Sequence, residues 1–213
     1  MAITIVDHQV PSDSHNYFDI TLDSDEPILT LLTNSPSMVE NWISETLALQ
    51  TPPLMVGLDI EWRPNNRSYD NPVATLQLCM GRRCLILQLI HTPEIPKSLF
   101  EFLENESLTF VGVGIDEDAE KLNCDYGLKV GKRVDLRNLA ESVTGRRDLK
   151  NAGLKRLGKE VLGKEIHKPK SVTMSRWDQE WLTLNQNNAL MQCKECDHRN
   201  TSVERNFTVR LCD

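Results

Sequence analysis

Met55-Val56-Gly57-Leu58-Asp59-Ile60-Glu61-Trp62 is an apolar run interrupted by two carboxylates. In a strand, successive side chains point to opposite faces, so Asp59 and Glu61 share one face and Leu58 and Ile60 the other. Two acids side by side on an otherwise buried strand are costly, because each charge is desolvated and the two repel. A hard divalent cation, Mg²⁺ or Mn²⁺, offsets that cost, since it prefers carboxylate oxygens. A half-exposed strand with two solvated acids is the alternative, and the strand alone leaves both readings open.

The surrounding chain is globular in composition and uneven in charge. At 213 residues it suits one domain with a sizeable core, and 39% hydrophobic with 26% charged residues excludes a disordered chain. Net charge is −7, yet residues 129–176 carry 14 Lys/Arg against 5 Asp/Glu, a net of +9, which leaves −16 for the remainder. A basic segment beside an acidic one suits a protein that grips a phosphate backbone and also holds cations. Solvated helix faces would give the same asymmetry. No apolar run approaches the length of a bilayer span, so no membrane partner is expected. Met1 to Val10 lacks the pattern of a secretory signal, and the expected location is the nucleus and/or cytoplasm. Cys79, Cys84 and Cys124 lie in apolar segments and are expected to act as small buried hydrophobes, with no disulfide framework.

Upstream, Ile3–Val6 and Tyr17–Leu22 read as strands, with a short extended piece at Thr30–Leu32. Ser35-Pro36 opens a helix, Ser at the N-cap and Pro at the first helical position, and Met38, Trp42, Ile43 and Leu47 recur at helical spacing. Downstream, the polar loop from Trp62 to Pro72 should border the site. Ala74–Cys79 and Cys84–Leu89 form a hairpin across Met80-Gly81-Arg82-Arg83. A short helix spans Pro96–Leu103.

Thr109–Ile115 is a near-continuous apolar strand, as in a sheet centre covered on both faces. Asp116-Glu117-Asp118 follows at once in helical register, where the positive end of the helix dipole favours acids. Capping and dipole effects explain one or two of these acids. Val134–Leu136 and Leu139-Ala140 continue the core. Leu149–Leu162 is predicted as one basic amphipathic helix with Lys150, Lys155 and Arg156 outside and Gly163 as its C-cap. Lys168–Met174 is a basic loop, with Trp177 and Trp181 beneath it.

Together these stretches resemble the Werner syndrome-type 3′–5′ exonucleases, in the DEDDy group of the DnaQ-like, ribonuclease H-like superfamily. Gly57–Trp62 is similar to the first motif of that family, Asp-x-Glu on the first core strand. Leu76–Leu78 with Cys84–Leu87 looks like its second and third strands. Phe110–Asp118 looks like its second motif, which puts the catalytic aspartate at Asp118. Leu154–Trp177 looks like the approach to the third. The resemblance covers roughly Ala2 to Gln186. It implies an α/β fold, a ribonuclease H-like mixed five-stranded sheet flanked by helices, over residues 1–186. It also implies phosphodiester hydrolysis at DNA or RNA 3′ ends, with Asp59, Glu61 and Asp118 holding two Mg²⁺ or Mn²⁺ ions roughly 4 Å apart. Lys150, Lys155, Arg156, Lys168 and Lys170 could then contact phosphates. Trp62 could stack near the terminal base or pack in the core.

The third motif departs from the family pattern. The family carries Tyr-x-x-x-Asp there, whose Tyr orients the attacking water. The aligned positions hold Ala189 and Cys193, and no Tyr follows Tyr126. The His-x-x-x-x-Asp variant fails too, since Val203 stands where His198 would need its Asp. Residues 187–213 form an aperiodic tail, read as a product of alternative splicing or of a misplaced exon junction. Cys193-Lys194-Glu195-Cys196 with His198 and Cys212 spells a weak zinc pattern. The expected outcome is an exonuclease-family protein with weak or absent activity. The alternative is a non-catalytic nucleic-acid-binding or subunit protein that keeps the fold, and a pure protein-interaction module is a third.

Overall fold

The computed structural model describes residues 3–22, 26–50, 54–65, 69–163, 174–180, 182 and 186. β1 (Ile3–Asp7), β2 (His15–Leu22) and β3 (Ile28–Thr33) form an antiparallel meander. α1 (Pro36–Leu49) follows, with Pro36 at a position whose N–H has no helical partner to lose. Ser35 occupies the N-cap, but its hydroxyl meets Ser37 Oγ at 3.0 Å instead of a backbone N–H.

β4 (Leu54–Trp62), β5 (Val73–Met80) and β6 (Arg83–Leu87) come next, then α2 (Lys97–Leu103), β7 (Leu108–Gly112), α3 (Ile115–Tyr126), β8 (Arg133–Asp135), α4 (Leu136–Thr144) and the single turn α5 (Leu154–Leu157). The strands make one sheet in the order β1-β2-β3-β6-β5-β4-β7-β8. The segment β6-β5-β4-β7-β8 is the expected mixed five-stranded ribonuclease H-like core. β4, β5 and β6 run antiparallel in succession, and β7 and β8 are added parallel on the other side of β4. The sheet has eight strands, not five. β3 pairs parallel with β6 and brings β1 and β2 with it, which covers an edge that would otherwise expose unpaired backbone groups.

Period-two alternation sorts the core to both faces. Leu58, Ile60, Leu76, Leu78, Leu85 and Leu87 pack under α1, α2 and α3. On the other face, Phe18, Ile20, Cys79, Cys84 and Ile86 pack around Trp177, and Val111 meets Leu139 of α4. The acidic residues of β4 lie on this second face.

Three expectations need correction. Leu149–Leu162 is not one helix. A 3₁₀ segment, Arg147–Asn151, precedes α5, and a π turn, Gly158–Leu162, follows it. Gly153 and Gly158 weaken a continuous helix, although Leu149 and Leu157 are still buried and Gly163 still ends the run with φ 65°. Cys79 and Cys84 are buried as expected, but they are also disulfide-bonded, because the hairpin register sets them directly opposite each other with Cα atoms 4.2 Å apart. Cys124 is exposed rather than buried. Among the described residues no helix is long and apolar enough to cross a membrane.

Candidate active site

β4 carries Asp59 and Glu61 on one face, opposite Gln77 and Thr75 of β5. Glu61 is 7% exposed and Asp59 is half-buried, so neither is the freely solvated acid of the alternative reading. The pairing of β4 with β7 stops at Gly57↔Val111, before Asp59. From there the strands part. Gly112 lies close against β4 at this point, since a Cβ on it would stand 2.7 Å from the Leu58 carbonyl oxygen. Gly114 then adopts φ 78°, the left-handed region open to glycine, and starts α3.

In α3, Ile115, Ala119 and Leu122 are buried at helical spacing. Asp118 falls on the same arc and is half-buried, whereas Asp116 and Glu117 are exposed. The outward acids are paired: Asp116 with Arg133 at 2.9 Å and Glu117 with Arg137 at 3.4 Å. The dipole and ion-pair reading therefore accounts for those two, and Asp118 is the acid turned toward the fold.

Asp135 anchors this helix start and was missed from the sequence, where it read as part of the core. It is 6% exposed. It accepts the Gly114 N–H at 3.1 Å, caps α4 through the Arg137 N–H at 2.8 Å, and pairs with Arg137 Nη2 at 2.6 Å. Burial alone would raise its pKa, but the Arg137 and Gly114 hydrogen bonds outweigh it and hold the carboxyl below its ordinary value. At the far end of α3, Tyr126 donates to the Val73 carbonyl at 2.6 Å and Asp125 accepts the Val73 N–H at 2.8 Å. Burial first, then Asp125, pushes the Tyr126 hydroxyl up to about 12.

β5 contributes buried polar groups the sequence did not flag. Gln77 Nε2 donates to Asp59 Oδ2 at 3.2 Å. Gln77 Oε1 and Thr75 Oγ1 are buried without hydrogen-bond partners among the described residues. A buried polar atom left unpaired costs roughly 1–3 kcal/mol, so two of them beside two acids mark a strand face not optimised for stability.

The approach to the third motif docks beside this face. Trp177 is fully buried in the second core. Gln88 Nε2 donates to the carbonyls of Gln179 and Glu180 at 3.2 and 3.1 Å, and His91 Nε2 donates to the Asp178 carbonyl at 3.1 Å. Arg63, from the loop after β4, pairs with Asp178 at 3.3 Å. The segment is thus tied to the chain just after β4 and just after β6.

The other expected residues are placed as follows. Trp62 packs partly against the first core, with Lys121 Nζ 5.3 Å from its ring centroid. Lys155 is exposed, Lys150 lies 4.0 Å from Glu141, and Arg156 pairs with Asp148. Lys168, Lys170, Trp181, Ala189, Cys193, Cys196, His198 and Cys212 lie outside the described residues.

The donor set fits a hard divalent cation in type: two carboxylates fixed on one strand, and a third on the inward arc of an adjacent helix. Among the described residues, however, no three His, Cys, Asp or Glu side chains stand close enough together to enclose a metal. Asp59 and Glu61 share one face of β4, and Asp118 stands in the first turn of α3, which contacts β4.

Residues 33–189 match a family model described as 3′–5′ exonuclease. A 3′–5′ exonuclease of Arabidopsis thaliana is 39% identical over 126 residues, 58% of this chain and 43% of that protein. The bifunctional 3′–5′ exonuclease/ATP-dependent helicase WRN of Mus musculus is 36% identical over 140 residues, 62% of this chain and 9% of that protein. Among solved structures, the EXD2 exonuclease domain soaked in Mn and GMP aligns with TM-score 0.49 at 23% identity, covering 86% of this chain and 89% of that one. This chain spans less than half the length of these curated relatives.

Proposed function

Because the chain belongs to the 3′–5′ exonuclease family, we propose that it acts at the 3′ ends of DNA or RNA, and that hydrolysis by this chain is impaired. The observation that carries the first part is the acidic face: Asp59 and Glu61 adjacent on a buried strand, next to the helix start that bears Asp118. These three residues would hold Mg²⁺ or Mn²⁺. A divalent cation bound there supplies an activated water and stabilises charge on the leaving 3′ oxygen. The protein's own groups fix the acids: Gln77 orients Asp59, and Asp135 holds the turn that presents α3.

Impairment rests on the third motif. Ala189 and Cys193 occupy the positions of the family's water-orienting Tyr and its last Asp, and neither can perform that role. Catalytic groups that work as a unit are strongly non-additive, so a partial set does not give a proportionate rate. We expect the chain to yield little or no 3′-end laddering of a 5′-labelled single-stranded oligonucleotide with Mn²⁺. Robust laddering that Asp59→Ala abolishes would overturn the impairment. Replacing the tail with a helix carrying Tyr-x-x-x-Asp should raise the rate by orders of magnitude.

A second reading is favoured by the absence, among the described residues, of three His, Cys, Asp or Glu side chains grouped to hold a metal. In it the fold is retained for nucleic-acid binding without cleavage. Oligonucleotide binding that weakens with salt and is unchanged by Glu61→Ala would support it over the first.

A further inference from the structure

We infer that Gln77 is a positioning residue for Asp59, holding that carboxylate in one orientation without neutralising it, so that the Asp59–Glu61 pair keeps its attraction for a divalent cation. The inference rests on the reading of that pair as a cation site and goes beyond it by assigning a role to a residue of β5.

The position is built for an apolar side chain. Gln77 is 1% exposed, its strand β5 is buried along its whole length, and its neighbour across β6 is Ile86, itself part of the second core. A carboxamide there carries a hydration cost that the described surroundings do not offset, because Oε1 is buried without a partner among the described residues. Nε2 is engaged, donating to Asp59 Oδ2 at 3.2 Å from the directly opposed position in the ladder. The reverse amide orientation would set Oε1 against the carboxylate oxygen and is repulsive, so the donor must face Asp59. The side chain thus sacrifices one hydrogen bond and keeps the one made to the acid.

The choice of a neutral donor matters. A Lys or Arg at this site would also fix Asp59, but its charge would cancel half of the pair's charge and compete with a cation. A Leu or Met would suit the core but offer Asp59 no donor from β5. Glutamine supplies orientation and retains the negative field. Groups that orient a ligating side chain in this way shift metal affinity by about 10- to 100-fold on removal.

The test uses the full chain and Mn²⁺ alone, with free ion read by its electron paramagnetic resonance signal and folding followed by thermal melting. Wild type should bind Mn²⁺, and Asp59→Asn should lose most of that binding. Gln77→Met and Gln77→Leu should each weaken binding by about tenfold or more while the melting temperature holds or rises. Binding equal to wild type in both Gln77 variants, with Asp59→Asn still defective, would overturn the role of Gln77 and leave the site reading intact. Weakened binding accompanied in both variants by a matching loss of melting temperature would reduce Gln77 to a packing residue and also overturn it. A wild-type chain that binds no Mn²⁺, or binds it as Asp59→Asn does, would remove the site reading and this inference together.

Discussion

Asp135 Oδ2 accepts the backbone N–H of Gly114 at 3.1 Å, so the residue that caps α4 also fastens the left-handed turn from which α3 departs. One buried carboxylate thereby ties the end of β8 to the helix start that carries Asp118.

Removing it should be costly. Asp135→Ala loses an N-cap, worth about 1 kcal/mol. It also leaves the Gly114 N–H and the Arg137 guanidinium without their acceptor, which adds about 1–3 kcal/mol. Urea denaturation should show a fall in midpoint at unchanged slope. A loss under about 0.5 kcal/mol, the range of ordinary surface changes, would contradict this. The pH dependence has a definite sign. The folded-state pKa of Asp135 is lowered, so its stabilisation is present above the ordinary carboxylate value near 4 and is lost as pH falls through the lower folded value. Asp135→Asn should therefore flatten the acid limb of the stability curve below about pH 4.

Gly112 and Gly114 should differ in why they resist substitution. Alanine at Gly114 meets nothing closer than 3.5 Å, so its penalty is conformational, about 1–2 kcal/mol for a left-handed residue. Alanine at Gly112 would press within 2.7 Å of the Leu58 carbonyl, a backbone atom that cannot rotate away. Its cost should reach the upper end of the ~1–3 kcal/mol typical of overpacking, and β4 should shift next to Asp59. Equal stability of Gly112→Ala and wild type would refute the close approach.

Trp177 and Gln88 hold the segment that leads to the third motif. Trp177→Ala empties the centre of the second core and should destabilise by about 3–5 kcal/mol. Gln88→Ala leaves the carbonyls of Gln179 and Glu180 without their donor while touching little of the core. Hydrogen–deuterium exchange should then rise in the peptide covering residues 174–186, and the melting temperature should change by only a few degrees. Unchanged exchange there would show that Trp177 alone secures the segment.

Trp62 offers a separable prediction because it is only partly buried, packs against the first core and directly follows Glu61 at the end of β4. Trp62→Phe should preserve fold and oligonucleotide binding, since an aromatic face remains. Trp62→Ala should weaken binding by about 1–3 kcal/mol if the ring stacks on a base. Fluorescence anisotropy with a labelled oligonucleotide, read on protein checked for folding, separates this from core packing. A stability loss without a binding loss would assign Trp62 to the core.

Much of this was legible from residue order. The period-two run around Asp59, the hairpin at Gly81 and the acids opening a helix after Val111 are local patterns, and local geometry obeys them. The amphipathic reading of Leu149–Leu162 failed because two glycines outweighed the hydrophobic spacing. The five-strand expectation fell short because β3 joins β6 through contacts distant in sequence.

Residue order alone was enough to put Asp59 and Glu61 on one strand face, because side chains alternate along a strand, and to carry the resemblance to the 3′–5′ exonuclease family. Only the folded chain could show that Gln77 lies opposite Asp59, that Asp135 fastens Gly114 and that Cys79 meets Cys84. Those relations depend on strand register and on where two strands part, and register is set by packing the whole sheet rather than by any short stretch of it.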